Sequence, residues 1–200
     1  MELSAHNLID KNGLRLWAKS QVLPASSYDL TSLRKFISEF ILTKSAPSNS
    51  SQASSASGPE TWGAFMPIKN EPSLSWAQIR NMGLDLCFPK VVNDELKFFR
   101  STEFTAGTFN LQEPSSLDEV SSDKIKGLFI PGLVFDNRGQ RLGRGKAFYD
   151  RYLKDFSGLK VGLTRSQFFI LGPIPVNDWD VAMDFVVTEN FIFQPLISKR

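Results

Sequence analysis

One cysteine and one histidine in 200 residues leave almost no material for disulfides, thiolate metal clusters or imidazole catalysis. Cys87 cannot close an internal disulfide, which fits a reducing compartment. Its setting, Leu86-Cys87-Phe88-Pro89, reads as a buried strand, and apolar burial silences a thiol. His6 lies in the N-terminal segment, away from every other candidate group. No apolar run approaches the roughly 20 residues that span a bilayer. The opening Met1-Glu-Leu-Ser-Ala-His6 lacks the basic and apolar regions of a secretory signal, so the expectation is a cytoplasmic protein without membrane contact. Charge of one sign is also scarce. With 23 Lys and Arg against 21 Asp and Glu, the chain has no global attraction to nucleic acid or anionic lipid, and any basic function must be local.

What is present is a pattern of alternating elements. Helical spacing marks the first twenty residues (Leu8, Leu14, Trp17), interrupted by Gly13, and marks 29–43 more clearly through Leu30, Leu33, Ile37, Phe40 and Ile41, with Asp29 or Thr31 as cap. Strand-like runs are expected at 62–68, 86–91, 96–100, 107–111, 127–135, 159–163 and 184–188. Helices are expected around 74–82, closed by Gly83, and at 146–156, with Phe148, Tyr152, Leu153 and Phe156 on the apolar face. Residues 115–126 read as a loop or a poor helix. The stretch 45–58, nearly all Ser, Ala, Pro, Gln and Asn, reads as a flexible loop within one domain covering 1–200. Most of the 17 phenylalanines fall in the strand runs, where core packing accounts for them, leaving one or two to line a pocket. The alternation predicts an α/β fold with a mostly parallel sheet covered on both faces.

One stretch carries more information than the rest. Gly127-Leu-Phe-Ile-Pro-Gly-Leu-Val-Phe-Asp136 feeds Asn137-Arg-Gly-Gln-Arg-Leu-Gly-Arg-Gly-Lys-Ala-Phe-Tyr-Asp150: an apolar strand, a loop of glycine and guanidinium, then a helix. Backbone N–H groups, a helix start and four cations (Arg138, Arg141, Arg144, Lys146) are offered to one anion, and a polyphosphate suits them. The spacing is neither that of a Walker A loop nor the Gly-x-Gly-x-x-Gly dinucleotide fingerprint, and Ala147 stands where a Walker A loop needs a Mg²⁺-binding hydroxyl. Gly143 and Gly145 let the backbone approach an anion, while Arg144 and Lys146 bring charge to it. A solvated basic turn, or a nucleic-acid patch, is the alternative; no second basic cluster or aromatic ladder extends such a patch.

The block from Pro131 to Asp150 resembles the signature of the 5-formyltetrahydrofolate cyclo-ligase (5,10-methenyltetrahydrofolate synthetase) family. Weaker echoes follow in order: Lys11-Asn-Gly-Leu-Arg15, Met66-Pro67 with Glu71, Phe88-Pro89-Lys90, Glu113-Pro114, and Asp180-Val-Ala-Met-Asp184 with Val186-Val187-Thr188. The resemblance covers about residues 5–190, with 45–58 looking like an insertion. It departs from the family at Ala147 (usually Gly), Phe148 (usually Tyr) and Trp179 (often His).

The resemblance implies a three-layer open sheet of the sugar-phosphate isomerase and CoA-transferase type, acting as a monomer with ATP and Mg²⁺ on 5-formyltetrahydrofolate. The γ-phosphoryl group moves to the formyl oxygen, N10 attacks the activated carbon, and loss of phosphate leaves 5,10-methenyltetrahydrofolate. Such transfer asks for positioning and charge neutralisation more than for a nucleophile. By the same resemblance, Lys146, Arg144 and Tyr149 act in catalysis. Lys11, Arg15 and the run Gly143, Arg144, Gly145, Lys146, Ala147, Phe148, Tyr149, Asp150 hold the nucleotide. Met66, Glu71 and Tyr149 meet the folate, and Asp150 with Asp180 holds the metal. A non-catalytic nucleotide- or folate-binding homologue and a basic-loop RNA-binding module are the alternatives.

Overall fold

Among the described residues eight strands form the central sheet, and the five in its middle run parallel. The computed structural model describes residues 10–22, 28–43, 58–107 and 112–196, so His6 and the serine-rich stretch up to residue 57 lie outside the described residues.

Helix α1 (Lys11–Ser20) starts at Asp10, whose carboxylate accepts the Gly13 N–H at 2.7 Å. The cap satisfies a first-turn donor and so offsets the poor helix propensity of Gly13. The helix expected at 29–43 divides into α2 (Thr31–Phe36) and a π-helical continuation, Ile37–Leu42. The N-cap position falls on Leu30, not on Asp29 or Thr31, while Asp29 just before it accepts the Thr31 N–H at 2.8 Å and its hydroxyl at 2.7 Å. Strand β1 (Thr61–Gly63) is shorter than the expected 62–68, because the chain leaves the sheet after Gly63 to build one wall of the site. Helix α3 (Trp76–Arg80) leads into β2 (Asp85–Val92). A two-residue turn then joins β2 to antiparallel β3 (Glu95–Arg100), with Asn93 and Asp94 both left-handed (φ 50° and 64°), as hairpin turns of this kind require.

Strands β4 (Phe104–Ala106) and β5 (Gln112–Pro114) form a separate antiparallel pair in place of the expected strand 107–111, of which 108–111 lie outside the described residues. Within 115–126, read as loop or poor helix, β6 (Glu119–Val120) adds an edge strand and Ser122–Lys124 makes one 3₁₀ turn.

The apolar run 127–135, read as one strand, is two. β7 (Ile125–Pro131) lies in the middle of the large sheet. β8 (Val134–Asp136) belongs to a second sheet with β9 (Arg141–Leu142) and β11 (Phe169–Ile170). The break falls at Gly132, where a Cβ would meet the Phe135 ring at 2.7 Å, so only glycine lets the chain fold this tightly from one sheet to the other. Helix α4 (Phe148–Leu153) is shorter at both ends than the expected 146–156, which leaves Lys146 in the preceding loop. β10 (Leu159–Leu163) lies where expected; β12 (Phe185–Val187) and antiparallel β13 (Ile192–Phe193) complete the sheet.

Side-chain alternation along the strands builds the layers. Leu86, Phe88, Phe129, Phe185 and Val187 point to one face and pack beneath α2, its π-helical continuation and α3. Cys87, Leu128, Ile130 and Val186 point to the other, where Leu153 and Phe156 cover them. The three-layer α/β expectation therefore holds. Burial at Cys87 pushes its thiol up to about 12, in keeping with an inert core residue. A third cluster joins Leu14 and Ala18 of α1 to Leu133, Val134 and Leu142. This contact fixes α1 against the strands that flank the glycine–arginine loop.

Candidate active site

A cavity of about 580 Å³ opens where β2, β7 and the β9–α4 loop converge, and every residue singled out in the sequence as a site candidate lines it except Arg138. Its size is that of a small-molecule site. Six lysine or arginine side chains (Lys11, Arg15, Lys90, Arg141, Arg144, Lys146) face four carboxylates (Glu71, Glu113, Asp150, Asp180). The surplus of positive charge favours an anionic guest.

At one pole α1 presents Lys11 and Arg15 from a single face, four residues apart. Arg15 Nε donates to the Gly143 carbonyl at 3.0 Å, tying the helix to the loop, and Lys11 forms an ion pair with Asp180. The loop reaches its shape through two left-handed residues, Gly145 at φ 102° and Ala147 at φ 55°. Glycine occupies that region freely, whereas the methyl group of Ala147 makes it a strained position. The Ala147 carbonyl accepts the Arg151 N–H at 3.0 Å, so the strain sits at the first turn of α4.

The four cations read as facing one anion separate in the structure. Arg138 turns away from the cavity: its guanidinium meets the fully buried Asp136 at 3.1 Å and the Ile174 carbonyl at 2.8 Å. Asp136 also accepts the backbone N–H groups of Arg138, Gln140 and Ile174, each at 2.9 Å, which makes it the organiser of the β8–β9 turn. Arg141, 8% exposed, is committed to Asp150 at 2.6 Å, and its guanidinium carbon lies 5.4 Å from the Tyr149 ring centre. Arg144 and Lys146 remain on the exposed lip of the cavity. With α4 only six residues long, the loop and its side chains, not a helix terminus, present charge here.

The rest of the lining combines an apolar wall with Lys90, Gln112, Glu113 and the buried acid Glu71. Phe65, Met66, Ile68 and Pro89 form that wall. Glu71 closes a tight turn, its N–H donating to the Ile68 carbonyl at 2.9 Å and its carboxylate accepting the Ile68 N–H at 3.2 Å. The turn is held against α1 by Asn70 Nδ2, which donates to the Ala18 carbonyl at 3.0 Å. Burial raises the Glu71 carboxyl to about 7, against the lowering influence of the Ile68 N–H and Arg144. Arg144 reaches across from the loop to this turn, donating to the Lys69 carbonyl and to Glu71 at 3.4 Å. The Tyr149 hydroxyl is buried and finds no hydrogen-bond partner among the described residues. Burial raises its pKa, so it stays a donor.

Asp150 and Asp180, read as metal ligands, both reach the cavity, each paired with a cation. Among the described residues no group of three acidic, histidine or cysteine side chains forms a ready-made metal cluster. Two carboxylates do fit a Mg²⁺ that arrives with phosphate oxygens, since Mg²⁺ is usually held by one or two carboxylates plus the substrate's phosphates.

The chain matches the profile of the 5-formyltetrahydrofolate cyclo-ligase family over residues 43–189, and that span decides its kinship. The chain belongs to this family. It is similar to the 5-formyltetrahydrofolate cyclo-ligase of Mycoplasma pneumoniae, with 27% identity over 192 residues that cover 91% of this chain and all of that protein. A mitochondrial 5-formyltetrahydrofolate cyclo-ligase of Arabidopsis thaliana is 34% identical over 108 residues, covering 44% of this chain and 39% of the relative. The chain thus spans about two fifths of that plant protein, and 45% of a mouse relative that is 33% identical. Among solved structures it resembles the Aquifex aeolicus 5,10-methenyltetrahydrofolate synthetase, with a TM-score of 0.73, 25% identity and 95% of each chain covered. The Mycoplasma pneumoniae synthetase shares the fold, with a TM-score of 0.68 at 23% identity over 90% of this chain and 99% of that one.

Sequence reasoning left several lining residues without a role. Pro89, Lys90 and Glu113 lay in segments that echo the family, but nothing in their spacing pointed inward. Phe65, Leu96, Gln112 and Asn177 carry no local signal; the fold alone brings them to the cavity.

Proposed function

We propose that this family member closes 5-formyltetrahydrofolate to 5,10-methenyltetrahydrofolate at the expense of ATP. One observation supports this reading above the others: a single cavity holds a cationic glycine loop and a buried carboxylate beside an apolar wall, with Arg144 bridging the two. A triphosphate suits the loop, and the amino and imino N–H groups of a reduced pterin suit Glu71.

In this reading Lys11, Arg15, Arg144 and Lys146 neutralise the phosphates, and the backbone from Gly143 to Ala147 wraps them. Glu71 and Met66 orient the pterin so that its formyl oxygen faces the γ-phosphorus, a placement that supplies most of the acceleration in phosphoryl transfer. The Tyr149 hydroxyl, held protonated, donates to the oxygen on which charge accumulates. Asp150 and Asp180 would hold Mg²⁺, which supplies charge neutralisation on the phosphate oxygens. Arg141 and Lys11, paired with them, fix the direction in which the two carboxylates point. A monomeric protein of one domain, as the resemblance implies, completes the proposal, and the lone buried cysteine suits a reducing compartment such as the cytoplasm. No helix among the described residues is long and apolar enough to cross a membrane.

A binding homologue without turnover is the second reading, favoured by the strained Ala147 in the phosphate loop. Spectrophotometric detection of methenyl product separates them. Product that appears only when ATP, Mg²⁺ and 5-formyltetrahydrofolate are all present supports the ligase; ligand binding with no product supports the homologue.

A further inference from the structure

Arg138 brings a charge to the most informative stretch of the chain, yet the chemistry above does not use it. Its side chain, half exposed, bridges the Asp136 carboxylate and the Ile174 carbonyl. Ile174 begins a segment that runs to Met183 and carries Asp180 between them. The chain from 171 to 184 is loop throughout, so the position of Asp180 is set from outside rather than by a helix or a strand ladder. Both ends of the segment are fastened to the β8–β9 turn.

At the first end, the Ile174 N–H donates to Asp136 at 2.9 Å while the Ile174 carbonyl accepts from Arg138 at 2.8 Å. At the second, the Met183 N–H donates to the Gly139 carbonyl at 2.8 Å. Gly139 has a φ of 76°, and a Cβ there would meet the Met183 carbonyl oxygen at 2.6 Å, so only glycine lets the two backbones touch. Ile174 and Met183 are buried, which keeps both anchors out of water. Between them the segment closes on itself: Asp180 accepts the Asn177 N–H at 2.7 Å through its carboxylate, and its own N–H donates to the Asn177 carbonyl at 3.0 Å. The same carboxylate pairs with Lys11, and both line the cavity. Removing Arg138 strips one partner from Asp136 and one from Ile174, the two groups that fasten the start of the segment.

We infer that Arg138 is a positioning residue for the metal carboxylate: by clamping Ile174 to Asp136 it sets where Asp180 stands in the cavity. Arg138 touches neither nucleotide nor folate and acts through the segment that it holds. Groups that aim a metal ligand in this way change metal affinity by about 10- to 100-fold when removed. The inference rests on the reading above in one respect, that Asp150 and Asp180 hold Mg²⁺.

Calorimetric titration of the full chain with ATP, in excess Mg²⁺ and again in EDTA, tests it. The ratio of the two affinities is the gain that the metal brings. Arg138→Ala cuts that gain about tenfold and keeps the affinity in EDTA within about twofold, because Lys11, Arg15 and the Gly143–Ala147 loop hold phosphate without the metal. Arg138→Lys keeps a cation beside Asp136 and loses about threefold; it carries the test should the alanine variant not fold. Once Asp180→Ala has removed the ligand, Arg138→Ala has no further effect on the gain. Equal loss in both media, or an unchanged gain with a lower melting temperature, makes Arg138 a brace of the fold and overturns the inference while the metal site stands. If the unaltered protein shows no gain from Mg²⁺, or Asp180→Ala leaves the gain intact, the metal assignment itself falls and the inference with it.

Discussion

Arg144 of the β9–α4 loop and Glu71 of the turn after β1 both line the cavity and meet, Nε to carboxylate oxygen at 3.4 Å. The arginine belongs to the loop proposed to grip phosphate and the glutamate to the turn proposed to grip pterin, so one ion pair spans both subsites. The Glu71 side chain is 7% exposed and its partner 33% exposed. Burial outweighs the attraction and holds the carboxyl near 7. A pterin that donates two N–H groups favours the ionised form. Binding of 5-formyltetrahydrofolate should therefore tighten as pH rises through about 7, and Glu71→Gln should bind weakly with no such step. Titration calorimetry between pH 6 and 8 checks both.

The same group sets a pH dependence of stability. Its folded value lies above the ordinary 4.5, so the folded state holds the proton more firmly than the unfolded chain between those limits. Stability from this group is present below about pH 4.5 and lost as pH rises to 7. Across that window the native chain should lose up to about 3 kcal/mol relative to Glu71→Gln. Urea melts of both proteins at pH 5 and pH 8 measure the difference.

Lys146→Ala and Arg144→Ala should each lower kcat/KM by about 100-fold, since each removes a charge proposed to act on the transferring group. Lys146 lies on the exposed lip, so its replacement should leave the thermal transition where it was, whereas Arg144→Ala also loses the bonds to Glu71 and to the Lys69 carbonyl and should lower it. Steady-state kinetics with circular-dichroism melts separates the two effects.

Asp150→Ala should behave differently. Its partner Arg141 is 6% exposed at the side chain, and removing one member of so buried a pair strands a charge. The expected cost is about 3 kcal/mol of stability, read from chemical denaturation, in addition to lost nucleotide binding.

Ala147→Gly should raise the melting temperature by about 2 °C, because relief of a left-handed alanine slightly exceeds the entropy that glycine adds to the unfolded chain. Turnover should rise with it if the strain also distorts the phosphate loop. A fall in both quantities would show that the methyl group is needed where it stands.

The site was more legible in the sequence than the paths of the strands that carry it. The glycine–arginine loop announced itself through residue type alone, and Lys11, Glu71 and Asp180 through resemblance, although they lie far apart in the chain. What periodicity could not show was the break at Gly132, since an unbroken apolar run reads the same whether it serves one sheet or two. Nor could it show that Arg138 and Arg141 are spent on Asp136 and Asp150: composition counts cations, while only the fold decides which find internal partners. Ala147 was readable in part, because its left-handed backbone is the one a glycine at that position would adopt without strain.

A crystal grown with a non-hydrolysable ATP analogue, Mg²⁺ and 5-formyltetrahydrofolate tests the central claim most directly. The account predicts phosphate density against Gly143–Ala147 with Lys11, Arg15 and Lys146 turned toward it, and the pterin edge on Glu71. Phosphates bound elsewhere, or a pterin that leaves Glu71 untouched, would contradict it.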